Sequence, residues 1–136
     1  MPDQRPARGV LDTSVVIDLE RIEPSQLPIE VAVSAITMAE LAAGPHATTD
    51  PEERARRQDR LQRAEAAFDP LPFDAEASRA YGRIYAAVVA AGRKARGARA
   101  LDLLIAATAC AAGLPLYTRN PDDFDAIGDL VEVVSV

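Results

Sequence analysis

The feature that most constrains this 136-residue chain is the stretch 100–112, which is apolar on nearly every side and carries a single charge, Asp102. A helix without a polar face has to be interior. No apolar run here reaches the roughly 18 residues of a membrane span. Other parts of the same chain must therefore enclose this helix.

The enclosing elements are legible as short apolar runs alternating with helical periods. Val10-Leu11, residues 31–33, 71–73, 114–118 and 130–136 read as five strands. Thr13 or Ser14 is placed to cap a helix through Glu20, and Ser34 a helix through Ala43 that Gly44-Pro45 stops. Asp50-Pro51-Glu52-Glu53 opens a third helix to about Phe68, with a capping-box-like spacing and a thin apolar face that predicts a projecting element. Asp74 caps a fourth, with Ala77, Ala80, Tyr81, Ile84, Tyr85, Val88 and Ala91 on its core stripe. Strands alternating with helices predict an α/β fold: a mostly parallel central sheet of about five strands with helices on both faces. The whole chain, 1–136, reads as one domain, with 1–8 as a flexible N-terminal tail.

Composition narrows the function. Residues 1–8 are polar and lack a signal peptide's apolar region, and one cysteine, Cys110, cannot form an internal disulfide. The expectation is a cytoplasmic protein with no membrane partner. A single histidine, His46, excludes a zinc-type cluster. The net charge of −6 is unevenly placed: residues 1–50 carry −5, residues 51–100 carry +4, and residues 101–136 carry −5. A basic middle between acidic ends suits a polyanion held beside bound cations.

Four acidic positions resist a purely structural explanation. Asp12 ends the first strand although Thr13 and Ser14 are available as caps. Glu40 shares a helix face with Ile36 and Ala43, and no other charge lies between Glu30 and Asp50. Asp102 opens the interior helix. Asp122 and Asp123 follow Thr118-Arg119-Asn120-Pro121. Capping, dipole stabilisation and turn chemistry each explain one of these. Taken together, the fold class sends all of them to the carboxyl end of one sheet, where α/β proteins bind ligands. Clustered carboxylates need a cation, and oxygen ligands without His or Cys select Mg2+ or Mn2+. Such an ion supports hydrolysis of a phosphodiester.

Leu11-Asp12-Thr13-Ser14-Val15, Met38-Ala39-Glu40-Leu41, Leu101-Asp102-Leu103-Leu104-Ile105-Ala106-Ala107 and Thr118-Arg119-Asn120-Pro121-Asp122-Asp123-Phe124 resemble, in that order, the motifs of the PIN-domain family, and within it VapC toxins of toxin–antitoxin pairs. The resemblance implies a PIN-like three-layer sandwich and a Mg2+- or Mn2+-dependent endoribonuclease. It makes Asp12 and Asp102 metal ligands, and Glu40 a ligand or the group that positions the attacking water. Asp123, directly before Phe124, becomes the fourth acid, with Asp122 beside it as the competing choice. Thr118 supports the site by hydrogen bonding, and Asn120 stands where some relatives carry Asp. The resemblance also implies a homodimer and a VapB-like antitoxin whose arginine replaces the cation in the acidic pocket.

Arg93, Lys94, Arg96 and Arg99 precede Asp102 and suit RNA phosphates near the metal; a solvated basic loop explains them equally well. Arg54, Arg56, Arg57, Arg60 and Arg63 read as a solvated face pairing with Glu52, Glu53 and Asp59. Two other functions fit parts of the pattern. One is a non-catalytic metal- or RNA-binding module on the same fold. The other is a phosphoryl-transfer enzyme with Asp12 as nucleophile, which lacks an Asp-x-Asp pair because the next acid is Asp18.

Overall fold

The computed structural model describes residues 4–136. Four strands form one parallel sheet: β1 (Arg8–Leu11), β2 (Glu30–Ala32), β3 (Leu116–Thr118) and β4 (Val133–Ser135), in the order β2-β1-β3-β4. Among the described residues, five α-helices accompany it: α1 (Thr13–Ile17), α2 (Ala35–Ala43), α3 (Pro51–Ala67), α4 (Ala75–Ala90) and α5 (Ala98–Ala112).

Successive residues of a strand point to opposite faces, and that alternation builds three layers. Val10, Ala32 and Leu116 join α4, α5 and the short 3-10 helix Pro121–Ile127 in one core, around Ile84, Leu103, Ile105 and Phe124. Leu11, Val33 and Tyr117 face the other way, against Val15, Val16, Leu41 and Ala64 of α1, α2 and α3. The sandwich expected from the sequence is therefore present. The apolar helix α5 is enclosed as its composition requires, although Leu101 in its first turn is exposed.

The strand expected over 71–73 is reduced to one bridge. Leu71 donates to the Val33 carbonyl at 2.9 Å and accepts from Ala35 N–H at 2.8 Å, parallel to Ser34. Pro70 and Pro72 flank it and have no N–H to extend the ladder. Among the described residues the sheet thus has four strands, not five. β4 is shorter than the run 130–136 because Leu130 and Val131 turn back on Ile127, and β3 is shorter than 114–118 because the Leu114 N–H is taken by the Ala109 carbonyl at the end of α5.

Helix α1 stops at Ile17 rather than Glu20, and a separate 3-10 turn spans Leu19–Arg21. Three consecutive β-branched residues, Val15-Val16-Ile17, propagate a helix poorly. Asp12, not Thr13 or Ser14, takes the cap position. Helix α3 does not project: it packs along α2 and buries Ala64. Arg54 donates to the carbonyls of Pro45 and Thr48, and Arg57 to that of Gly44. Glu53 binds Arg56 and Arg57 instead of closing a capping box, while Arg63 pairs with Asp59 and Glu20. Tyr85, expected in the core, is exposed, and its ring meets Tyr81 edge-on.

Of the tail expected over 1–8, residues 1–3 lie outside the described residues. The rest is tied down: the carbonyls of Pro6 and Ala7 accept from Ile29 and Glu30, and Arg8 opens β1. Among the described residues, no helix is long and apolar enough to cross a membrane.

Candidate active site

The strand order places β1 and β3 side by side although β2 follows β1 in sequence. The crossovers therefore leave to opposite sides, which makes the carboxyl ends of β1 and β3 the switch-point crevice at which α/β sheets bind ligands. Asp12 follows β1 at this point and Thr118 closes β3. Asp12 N–H donates to the Tyr117 carbonyl at 2.8 Å, which extends the ladder by one residue and fixes where the side chain starts.

Asp12 is buried, and a buried carboxylate must be partnered. Oδ2 accepts from the hydroxyls of Thr118 at 2.8 Å and Ser14 at 2.9 Å. Oδ1 accepts from the Thr13 backbone N–H at 2.9 Å. A carboxylate offers about four lone-pair sites, so these three donors leave one, on Oδ1, for a further ligand. Ser14 Oγ accepts from Arg119 N–H at 3.2 Å, and Thr118 Oγ1 from Asn120 N–H at 3.0 Å, which links the loops after β1 and β3.

Glu40 reaches the same crevice from the last turns of α2. The Thr13 hydroxyl donates to its Oε1 at 2.8 Å. Burial, with Asp12 adding repulsion, raises its pKa above the usual carboxylate value against the lowering pull of Thr13. Asp102 enters from the second turn of α5, which begins at Ala98, so it does not open the helix as its sequence position suggested. Its pKa is raised from 3.8 to about 6, first by burial and then by the charges of Asp12, Asp123 and Glu40, with Arg99 acting in the opposite direction. Four carboxylates from four separate stretches of chain thus share one electrostatic field.

Asp123 and Asp122 part company here. Asp123 is half-buried, acts on Asp102, and accepts from the Arg99 guanidinium at 3.4 Å. Asp122 is exposed, as is the neighbouring Asn120. The turn of the 3-10 helix sets this phase, with Phe124 anchored in the core. The basic loop also divides. Arg93 pairs with Asp125 and Arg99 with Asp123, whereas Lys94 and Arg96 are exposed and carry no ion pair among the described residues.

The donor set suits a hard divalent ion: oxygen ligands only, one free lone pair on Asp12, and a carboxyl at Asp102 that burial and three neighbouring acids disfavour more than Arg99 offsets. The acids share a field without forming a closed cage. Among the described residues, no group of three or more His, Cys, Asp or Glu is gathered as a ready ligand set. A site of this kind leaves positions open for water and substrate.

Apart from that of Thr118, the hydroxyls of the site were missed in the sequence. Thr13, Ser14 and Ser34 read only as caps, and Thr37 has no role in that reading. The available signal was the spacing Ser34, Thr37, Glu40, three residues apart along one helix face.

Residues 9–130 match the PIN domain, and the chain belongs to the PIN-domain family. Within that family its likeness is to the VapC type. It is 37% identical to Ribonuclease VapC5 of Mycobacterium tuberculosis over 136 residues, 96% of this chain and 97% of that one. It is 36% identical to VapC ribonuclease Y4jK of Sinorhizobium fredii, over 88% of this chain and 91% of the relative. Among solved structures, the crystal structure of VapBC-5 from Mycobacterium tuberculosis, a member of the VapBC family of toxin–antitoxin systems, aligns with a TM-score of 0.85 at 37% identity. That alignment covers 96% of this chain and 100% of the other.

Proposed function

We propose that this chain is a cytoplasmic, Mg2+- or Mn2+-dependent endoribonuclease acting as the toxin of a VapBC-type pair. The observation that carries the reading is the convergence of Asp12, Glu40, Asp102 and Asp123 from distant parts of the sequence: Thr118 holds Asp12, Thr13 beside it holds Glu40, and Asp102 feels the charges of the other three. A fold maintains such repulsion at a functional site more readily than elsewhere. Asp12 and Asp102 would hold the ion, and Asp123 completes the acidic set. When bound, the ion supplies a Lewis acid for a phosphoryl oxygen and lowers the pKa of a bound water.

The residues of the chain supply the rest. Thr118, Ser14 and the Thr13 N–H hold Asp12 and leave one lone pair of Oδ1 for the ion. Glu40, partly desolvated and bonded through Oε1, keeps Oε2 to orient a water or serve as a further ligand. Arg99 is coupled to both Asp123 and Asp102, and Asn120 and Asp122 stand at the rim. Lys94 and Arg96, with Arg93 beside them, are placed to meet RNA phosphates. The partner is a VapB-like antitoxin offering an arginine to the acids. Exposed Tyr85 and Val89, four residues apart on α4, favour a homodimer.

The test is cleavage of RNA by the purified protein with Mg2+ or Mn2+. It should stop with EDTA and be lost in Asp12→Ala and Asp102→Asn. The open arrangement of the acids favours one other reading, a non-catalytic binding module. That reading gains if RNA is bound but not cut, and binding survives Asp12→Ala.

A further inference from the structure

Behind Glu40 lies a row of hydroxyl groups that the acidic site does not account for. Thr13 Oγ1 is 2.8 Å from Glu40 Oε1 and 3.0 Å from Thr37 Oγ1. Thr37 Oγ1 is 3.3 Å from Ser34 Oγ, and Ser34 Oγ accepts the Thr37 backbone N–H at 3.0 Å. Ser34 and Thr37 are fully buried at 0% exposure, so solvent does not compete for these bonds.

Each hydroxyl owns one proton, and that fixes the direction of the row. An ionised Glu40 only accepts, so Thr13 gives it its proton. Thr13 then has no proton for Thr37, and the bond between them is donated by Thr37. Thr37 in turn has none for Ser34, so Ser34 donates to Thr37. Ser34 accepts a peptide N–H, which keeps its oxygen aligned as a donor. With Glu40 ionised, the order Ser34 to Thr37 to Thr13 to Glu40 is the one assignment that supplies a proton to all three contacts.

We propose that Thr37 is a positioning residue for the reaction: by donating to Thr13 it holds the Thr13 proton on Glu40 Oε1 and so fixes the direction of the free Oε2 in the crevice. Ser34 does the same for Thr37 one step further back. The acidic site therefore depends on two buried side chains of α2 and its cap that touch neither substrate nor ion. The catalytic part of this inference rests on the ribonuclease reading; the geometric part does not.

The experiment compares Thr37→Val, of equal shape and without the hydroxyl, with Thr37→Ser, which keeps it. In crystals of the protein in EDTA, Thr37→Val should free the Thr13 hydroxyl and break its 2.8 Å hydrogen bond to Glu40, while Thr37→Ser keeps it. With RNA and Mn2+, Thr37→Val should lower kcat about 10-fold, in the range that loss of a group orienting a ligand costs, with KM nearly unchanged. Thr37→Ser should restore the rate. In a Thr13→Val background, Thr37→Val should add nothing, because its route to Glu40 is already cut. An unchanged Thr13–Glu40 hydrogen bond in Thr37→Val would overturn the proposal whether or not the protein cleaves RNA. Rate losses that add in the double variant would overturn it equally. Absence of RNA cleavage in the wild type, with the Thr13–Glu40 hydrogen bond broken in Thr37→Val, would instead count against the ribonuclease reading and leave the geometric part supported.

Discussion

Thr118 donates a 2.8 Å hydrogen bond to Asp12 Oδ2 across 106 residues of sequence, and both residues are buried. The bond ties the carboxyl ends of β1 and β3, the two strands at the switch-point crevice. Thr118→Val should cost about 2 kcal/mol, because a buried carboxylate loses one donor and the Asn120 N–H loses its acceptor. Thr118→Ser should cost much less. Urea denaturation of both variants measures the difference.

The pKa of Asp102 makes stability depend on pH in an unusual direction for a carboxylate. The folded value, about 6, lies above the ordinary 3.8, so between these values the folded state binds more protons than the unfolded one. Stability contributed at this position is present at low pH and falls as pH rises through about 4 to 6. In EDTA, Asp102→Asn should therefore melt at a higher temperature than wild type near about pH 7.5, with the advantage disappearing near about pH 4. Thermal melts at the two values decide it.

The division of the basic loop predicts unequal roles in RNA binding. Lys94 and Arg96 are exposed without ion pairs among the described residues, while Arg93 and Arg99 are engaged by Asp125 and Asp123. Lys94→Ala and Arg96→Ala should each weaken RNA binding and lower the salt dependence by slightly under about one unit. Arg93→Ala should change it less. Binding of a fluorescent RNA over a salt series in EDTA measures all three.

Gly9 in β1 lies under the ring of Tyr117, where a Cβ would stand 2.5 Å from the ring edge. Tyr117 is buried among core residues and has nowhere to move. Gly9→Ala should destabilise by about 1–3 kcal/mol through overpacking, read by denaturation. The displacement should reach Asp12, three residues on.

The alternation of strands and helices was legible because each layer needs its own apolar period, and the interior position of α5 followed from its lack of a polar face. The isolation of Glu40 from other charges and the strand-end place of Asp12 were legible for the same reason: each conflicts with the simplest local explanation. What the sequence concealed was decided by geometry beyond a few neighbours. Leu71 looks like a strand until its flanking prolines are given their missing N–H groups. Asp122 and Asp123 are equivalent on paper, and only the phase of the 3-10 helix about Phe124 separates them. Tyr85 carries the right spacing for the core, but nothing in the described structure covers it. The hydroxyls of Thr13, Ser14 and Thr37 are common capping residues, and their service to Asp12 and Glu40 appears only when the strands are adjacent.

If acids distant in sequence form one cation site, calorimetric titration of the purified protein with Mn2+ will register it. Wild type should bind, Asp12→Asn and Asp102→Asn should lose binding, Asp123→Asn should weaken it, and Asp122→Asn should match wild type. Unchanged Mn2+ affinity in Asp102→Asn would contradict the account.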